Sequence, residues 1–132
     1  MIKLTIPGEP VAKARPRVTK FGAYTPEKTK NYETLVKELF IIEHGQVLLE
    51  GELHINIKAY FKIPNSTSKK KKALMLDKSI RPTKKPDVDN IMKCVTDALN
   101  EIAYQDDKQI VSAGIEKYYS DEPRVEIEIK EM

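Results

Sequence analysis

The sequence has no tryptophan, one cysteine, two histidines and only five glycines in 132 residues. The lone cysteine, Cys94, excludes an internal disulfide framework, and with only His44 and His54 to help it no conventional zinc site can be assembled. A chain without disulfides suits a reducing compartment, so a cytoplasmic location is expected. No apolar run approaches the roughly 18 residues of a membrane span, and the opening MIKLTIPGEP lacks the charged, apolar, small-residue order of a secretory signal, so no membrane partner is expected either. Glycine-dependent phosphate loops are missing too: there is no GxxxxGK[ST] and no GxGxxG, nor any HExxH or GxSxG. No small-molecule cofactor is therefore expected. His44 reads most simply as a helix C-terminal residue, His54 as a polar-face strand residue and Cys94 as packing.

What the sequence has in quantity is charge, unevenly placed. The net charge is only +3. Residues 1 to 93, however, hold 19 Lys and Arg against 10 Asp and Glu, a balance of +9, while residues 94 to 132 hold 4 against 10, a balance of −6. The basic clusters are Lys13, Arg15, Arg17 and Lys20, then Lys69, Lys70, Lys71 and Lys72, then Lys84 and Lys85. Any one such run is ordinarily a solvated face, but together they suit a polyanion held through its phosphates.

Hydrophobic periodicity divides the chain. Ile2, Leu4 and Ile6 alternate as a half-buried strand ending at Pro7-Gly8. The segment VAKARPRVTKFGAYTP reads as an ordered arm or hairpin. Thr25-Pro26-Glu27 reads as N-cap, N1 and acidic first turn of a helix whose face is Tyr32, Leu35, Val36, Leu39 and Ile42, stopping at Gly45. Residues 52 to 63 form the clearest strand, with Leu53, Ile55, Ile57, Ala59, Phe61 and Ile63 on one side. A polar connection follows, with a short helix over SKKKKALMLDK capped by Ser66 or Ser68. Val88, Ile91, Met92, Val95, Leu99 and Ile102 mark a second main helix, and residues 108–120 and 124–132 read as two strands joined by Asp121-Glu122-Pro123. At 40% hydrophobic content the chain can bury roughly two-thirds of its unfolded surface in one domain spanning residues 1–132. The order is that of an α+β fold.

One stretch carries chemistry. KKPDVDNIMK places Asp87 and Asp89 two residues apart just after a basic run. A single Asp would serve as a helix cap; two side by side repel unless a cation lies between them. Hard divalent cations such as Mg2+ take oxygen ligands, commonly one or two carboxylates with waters and phosphate, so the pair is a plausible half-site; an EF-hand is excluded because its third oxygen position is Ile91. The next acidic cluster is Asp106-Asp107. A helix over residues 90 to 103 would be about 20 Å long, so either the following turn folds back or a second subunit supplies the missing ligand. Lys93 lies one turn after Asp89 on the same stripe, which Asp97 continues. It is either an ordinary ion-pair partner or a cation placed to hold the scissile phosphate. Asn90 could ligate or cap.

The run RPTKKPDVDNIMKCVTDALNEIAYQDDKQIV resembles the RusA family of Holliday junction resolvases. The shared pattern is D-x-D-N at Asp87, Asp89 and Asn90, the lysine Lys93, D-A-L at Asp97-Ala98-Leu99, and D-D at Asp106-Asp107 before an alternating strand. KARPRV, GAYTP and Tyr32 are similar to the phage, prophage and Gram-positive branch. The resemblance implies a small mixed sheet of about four strands with two main helices packed against it. It implies a homodimeric endonuclease dependent on Mg2+, with Mn2+ able to substitute, that nicks two strands of a four-way DNA junction in recombination and repair. It assigns Asp87, Asp89 and Asp107 as metal-binding catalytic carboxylates, Asp106 as the alternate member of its pair, and Lys93 as the catalytic lysine. The basic clusters then become the DNA-binding residues. Two other readings stay open at this stage: a non-enzymatic DNA-binding recombination accessory protein, and a metal-dependent nuclease acting on other branched DNA.

Overall fold

The computed structural model describes residues 1–13, 17–24 and 26–132. Its main sheet has four strands in the order β1 (Ile2–Pro7), β6 (Arg124–Glu131), β4 (Leu53–Lys62), β5 (Ile110–Ser120). β4 and β5 run parallel, while β1–β6 and β6–β4 are antiparallel, so the sheet is mixed. A separate two-stranded hairpin joins β2 (Arg17–Thr19) to β3 (Gly22–Tyr24). The helices are α1 (Glu27–His44), α2 (Lys69–Leu76) and α3 (Val88–Ala98). This is the expected α+β arrangement, and no helix among the described residues is long and apolar enough to cross a membrane.

The strict alternation in β4 explains its central place. Leu53, Ile55, Ile57, Ala59 and Phe61 all point into the core, and the register sets Ile57 opposite Ile127 on one side and Ile115 on the other. Leu4 and Ile6 extend the same face through β1. Tyr32, Val36 and Phe40 of α1, with Ile91, Cys94, Val95 and Leu99 of the α3 segment, cover it. A Leu or Ile side chain moved into such a core is worth about 1.5–3 kcal/mol, which makes this interior the main source of stability.

The caps follow the sequence in part. α1 stops at Gly45, whose φ of 74° is left-handed and whose N–H donates to the Ile41 carbonyl. Pro26 was expected inside the helix; it occupies the cap position instead, with an extended ψ of 142° and its carbonyl accepting from Lys30 N–H. Thr25, expected as the cap, lies outside the described residues. Ser68 caps α2 by accepting from Lys71 N–H at 3.3 Å, one of the two serines expected.

α3 departs more from the reading. It ends at Ala98, so its 11 residues span only about 16 Å, and Val88, expected on its buried face, is exposed. The helix ends early because the chain reverses at once. Glu101 takes a φ of 67°, its N–H donates to the Tyr104 carbonyl, and Tyr104 swings inward to full burial. From there the Tyr104 hydroxyl donates to the Thr96 carbonyl at 2.6 Å, satisfying a group that the helix end would leave unpaired. Tyr104→Phe keeps the packing but strands that carbonyl. It should lower stability by about 1–2 kcal/mol and the melting temperature by about 3–6 °C; an unchanged melting curve would show that the bond carries no weight.

Candidate active site

The two acidic pairs sit on either side of α3. Asp87 occupies the N-cap position, with extended φ and ψ of −75° and 154°, and its carbonyl accepts from Ile91 N–H. Its side chain makes no capping hydrogen bond. Asp87 therefore does not fulfil the structural role that one Asp at this position would ordinarily have, and its carboxylate is exposed. Asp89, also exposed, lies in the first turn, where the positive end of the helix dipole favours a carboxylate. A cleft of about 680 Å3 opens beside Asp87, between the arm at Val11-Ala12 and the start of α1, with Lys85 and Asn90 on its wall.

One helical turn beyond Asp89, Lys93 extends into solvent with its Nζ 3.3 Å from Asp97 Oδ2. The same oxygen lies 3.5 Å from Nζ of Lys13, which reaches Glu33 Oε1 at 2.8 Å. Burial alone would lower the Lys13 pKa; the Glu33 hydrogen bond and charge, with those of Asp97, outweigh it and hold the group above its ordinary value. Lys13 thus ties the arm to α1 and α3, helped by its N–H donating to the Asn90 carbonyl and by Thr29 Oγ1 donating to the Ala12 carbonyl. Expected as a phosphate ligand, it is four-fifths covered and spoken for.

After α3 the chain reverses, which sets the Asp106-Asp107 turn beside the end of the helix segment rather than at its head. Asp107 N–H donates to Asn100 Oδ1 at 2.8 Å, and Asp106 caps the following single turn (Asp107–Gln109) by accepting from Lys108 N–H. Gln109 completes the fixture. Its Oε1 accepts from the N–H groups of Gln105 and Asp106, while its Nε2 donates to the carbonyls of Leu49 and Gly51. The two carboxyls consequently differ. Lys108 N–H, then the hydrogen bond with Asp107, holds Asp106 below the ordinary carboxylate range. Partial burial, then Asp106, then Asp97 push Asp107 above it, with Lys93 pulling the other way. Asp107 is therefore within electrostatic reach of both Asp97 and Lys93.

Asp107 lies within electrostatic reach of Lys93, Asp97 and Asp106, while Asp87 and Asp89 stay at the head of α3 and are not gathered with them into one cluster. Among the described residues no three His, Cys, Asp or Glu side chains converge into a ready cage for a metal. The donors are all carboxylate oxygens, which suits a hard divalent ion that keeps most of its waters and needs only one or two protein carboxylates plus phosphate. Cys94 is buried, and that burial, reinforced by Glu33, pushes its thiol up to about 12, so it is packing.

The cationic residues fall into three states. Lys69, Lys70, Lys71, Lys84, Lys85 and Lys20 are exposed. Lys72 is paired with Asp121 at 3.1 Å. Arg15 and the side chain of Arg17 lie outside the described residues. Asp97 was visible as the continuation of the Asp89 and Lys93 stripe, although nothing local assigned it a role; Glu33 and Asn100 gave no local signal, since their partners come from the tertiary fold.

Carboxyl NMR of the metal-free protein checks the asymmetry of the acidic pair. Asp106 should titrate below and Asp107 above ordinary Asp. Stability contributed by Asp106 then appears above the ordinary carboxylate pKa and is lost as pH falls through its lowered value. The contribution of Asp107 is present below the ordinary value and lost as pH rises through its raised one. Coincident titrations would contradict the hydrogen-bonded arrangement.

Residues 7–130 match the family model described as endodeoxyribonuclease RusA. A Bacillus subtilis (strain 168) protein, described as uncharacterized protein YqaN, is 41% identical to this chain over 137 aligned positions, covering 99% of this chain and 96% of its own.

Proposed function

The chain belongs to the RusA family of endodeoxyribonucleases, and from that membership we propose that it is a Mg2+-dependent endonuclease that resolves four-way DNA junctions by paired nicks. The observation that carries the reading is Asp87, a cap-position aspartate whose carboxylate is not used in the cap and stands exposed beside Asp89 and Lys85. Asp87, Asp89 and Asp107 would hold the cation, with Asp106 oriented by its backbone partner at Lys108. When bound, such an ion supplies a Lewis acid that neutralises phosphate charge and acidifies water. Mn2+ would serve in its place.

The chain's own residues do the rest. Lys93, 62% exposed and paired with Asp97, can turn its ammonium toward a phosphate and stabilise charge as it builds on the non-bridging oxygens. Hydrolysis forms a bond from a water oxygen to phosphorus and breaks the bond to the 3′ oxygen, leaving a 5′-phosphate and a 3′-hydroxyl. Lys69, Lys70 and Lys71 crowd the first turn of α2, where the helix dipole disfavours cations. Such an arrangement is tolerable when an anion sits there, which supports a DNA strand passing over that end. Lys84 and Lys85 lead the same strand toward Asp87. A two-fold substrate cut on two strands is served by a two-fold protein, so we extend the proposal to a homodimer working in the cytoplasm.

Wild type, Asp89→Asn and Lys93→Ala proteins with a labelled four-way junction and a matched linear duplex test this. Wild type should give paired nicks on the junction with Mg2+ and none with EDTA. Lys93→Ala should lose about 10²–10³ in rate and Asp89→Asn at least about 10³, with junction binding retained. Junction binding by wild type with no nick under any divalent metal would sink the enzyme reading and leave a DNA-binding accessory protein.

A further inference from the structure

The hairpin β2–β3 carries the two most exposed large apolar side chains in the described protein, Val18 at 82% and Phe21 at 89%. Every side chain from 18 to 23 is exposed, so the hairpin tip stands off the body. Its conformation is nevertheless fixed. Thr19 Oγ1 donates to the Gly22 carbonyl and accepts from Phe21 N–H, both at 3.2 Å, and Gly22 takes a φ of 120° that an L side chain rarely adopts. The strands pair in register from Thr19–Gly22 to Arg17–Tyr24. A solvent-facing phenyl ring is thereby presented on a locked turn.

Its surroundings indicate what it meets. Residues 10 to 26 contain four Lys or Arg and no acidic residue, and Lys20 Nζ lies 5.1 Å from the Phe21 ring centre. An apolar tip on a purely cationic arm is complementary to a polyanion that also offers flat apolar surface, as unstacked nucleobases do. The arm is rooted beside the acidic pair: Lys13 N–H donates to the Asn90 carbonyl, and the cleft between arm and helices is walled by Asp87 and Asn90. Nucleic acid engaged at Asp87 therefore lies at the base of this hairpin. We propose that Phe21 is a wedge that stacks on an opened base step of branched DNA, with Val18 beside it, and so sets where the branch point sits relative to the cut. This rests on the nuclease reading for the cut, though not for the stacking.

Because the chain has no tryptophan, Phe21→Trp installs a single indole reporter. In EDTA, where nothing is cut, its fluorescence should be quenched by a four-way junction and not by a linear duplex of the same sequence. With wild type, 2-aminopurine at the branch point should brighten on binding, and Phe21→Ser should abolish that signal. Phe21→Ser should also weaken junction binding roughly 5- to 150-fold, the range expected for a lost base stack, without a matching loss on duplex. No quenching at saturating junction, or equal quenching by duplex, would overturn the wedge. So would conversion of a dimer to a monomer by Phe21→Ser with junction binding intact, because the tip would then be a contact between copies. Wild type that nicks junctions without the 2-aminopurine signal sinks the wedge alone. A wild type that shows the signal but never nicks keeps the wedge and sinks the nuclease reading.

Discussion

The hydrogen bond from the Tyr104 hydroxyl to the Thr96 carbonyl decides where half of the candidate site goes. A helix that continued through residue 103 would deliver Asp106 and Asp107 well beyond Lys93. With Tyr104 buried against the last turn of α3, the chain doubles back, Asn100 receives Asp107 N–H, and Gln109 clamps the turn to the carbonyls of Leu49 and Gly51. All of these partners are polar groups that would be costly to leave unpaired, so they fix the turn more firmly than its short length suggests.

The electrostatics rest on that reversal. Asp97 accepts both Lys13 and Lys93 at a single oxygen. One of these lysines is largely buried and closes the arm onto two helices; the other remains mostly in solvent. The same carboxylate thus separates a structural cation from an available one. The opposite charge balances of the two parts of the chain meet here: Lys28 and Lys85 line the cleft beside Asp87, while Asp107, after α3, lies within electrostatic reach of Lys93. Carboxylates arranged this way repel in the absence of a cation, and the raised Asp107 records that repulsion together with partial burial.

Much of this was legible in the sequence, for identifiable reasons. Alternation in residues 52–63 and 124–132 is a period-two signal strong enough to fix both strands and their inward faces, and Gly45 and Ser68 marked helix ends by their own chemistry. The stripe of Asp89, Lys93 and Asp97 follows from helical spacing alone. The early end of α3 was not legible, because Leu99 and Ile102 continue the apolar period and only the tertiary burial of Tyr104 breaks the helix. Val88 was misplaced because periodicity cannot tell a helix's first turn, open to solvent, from its middle. The engagement of Lys13 was hidden because Glu33 lies twenty residues away on another element.

The central proposal is that Asp89 and Asp107, which one chain does not bring into a ready metal cage, serve one cation, with a second subunit completing the site. Calorimetric titration of Mn2+ into wild type, Asp89→Asn, Asp107→Asn and the double variant tests it most directly. The account predicts that each single substitution weakens binding by at least about tenfold, and that the double variant loses less than the two effects summed, as expected for ligands of one ion. Unchanged affinity in Asp107→Asn, or fully additive losses, would mean that the two acidic pairs act apart and would contradict the account.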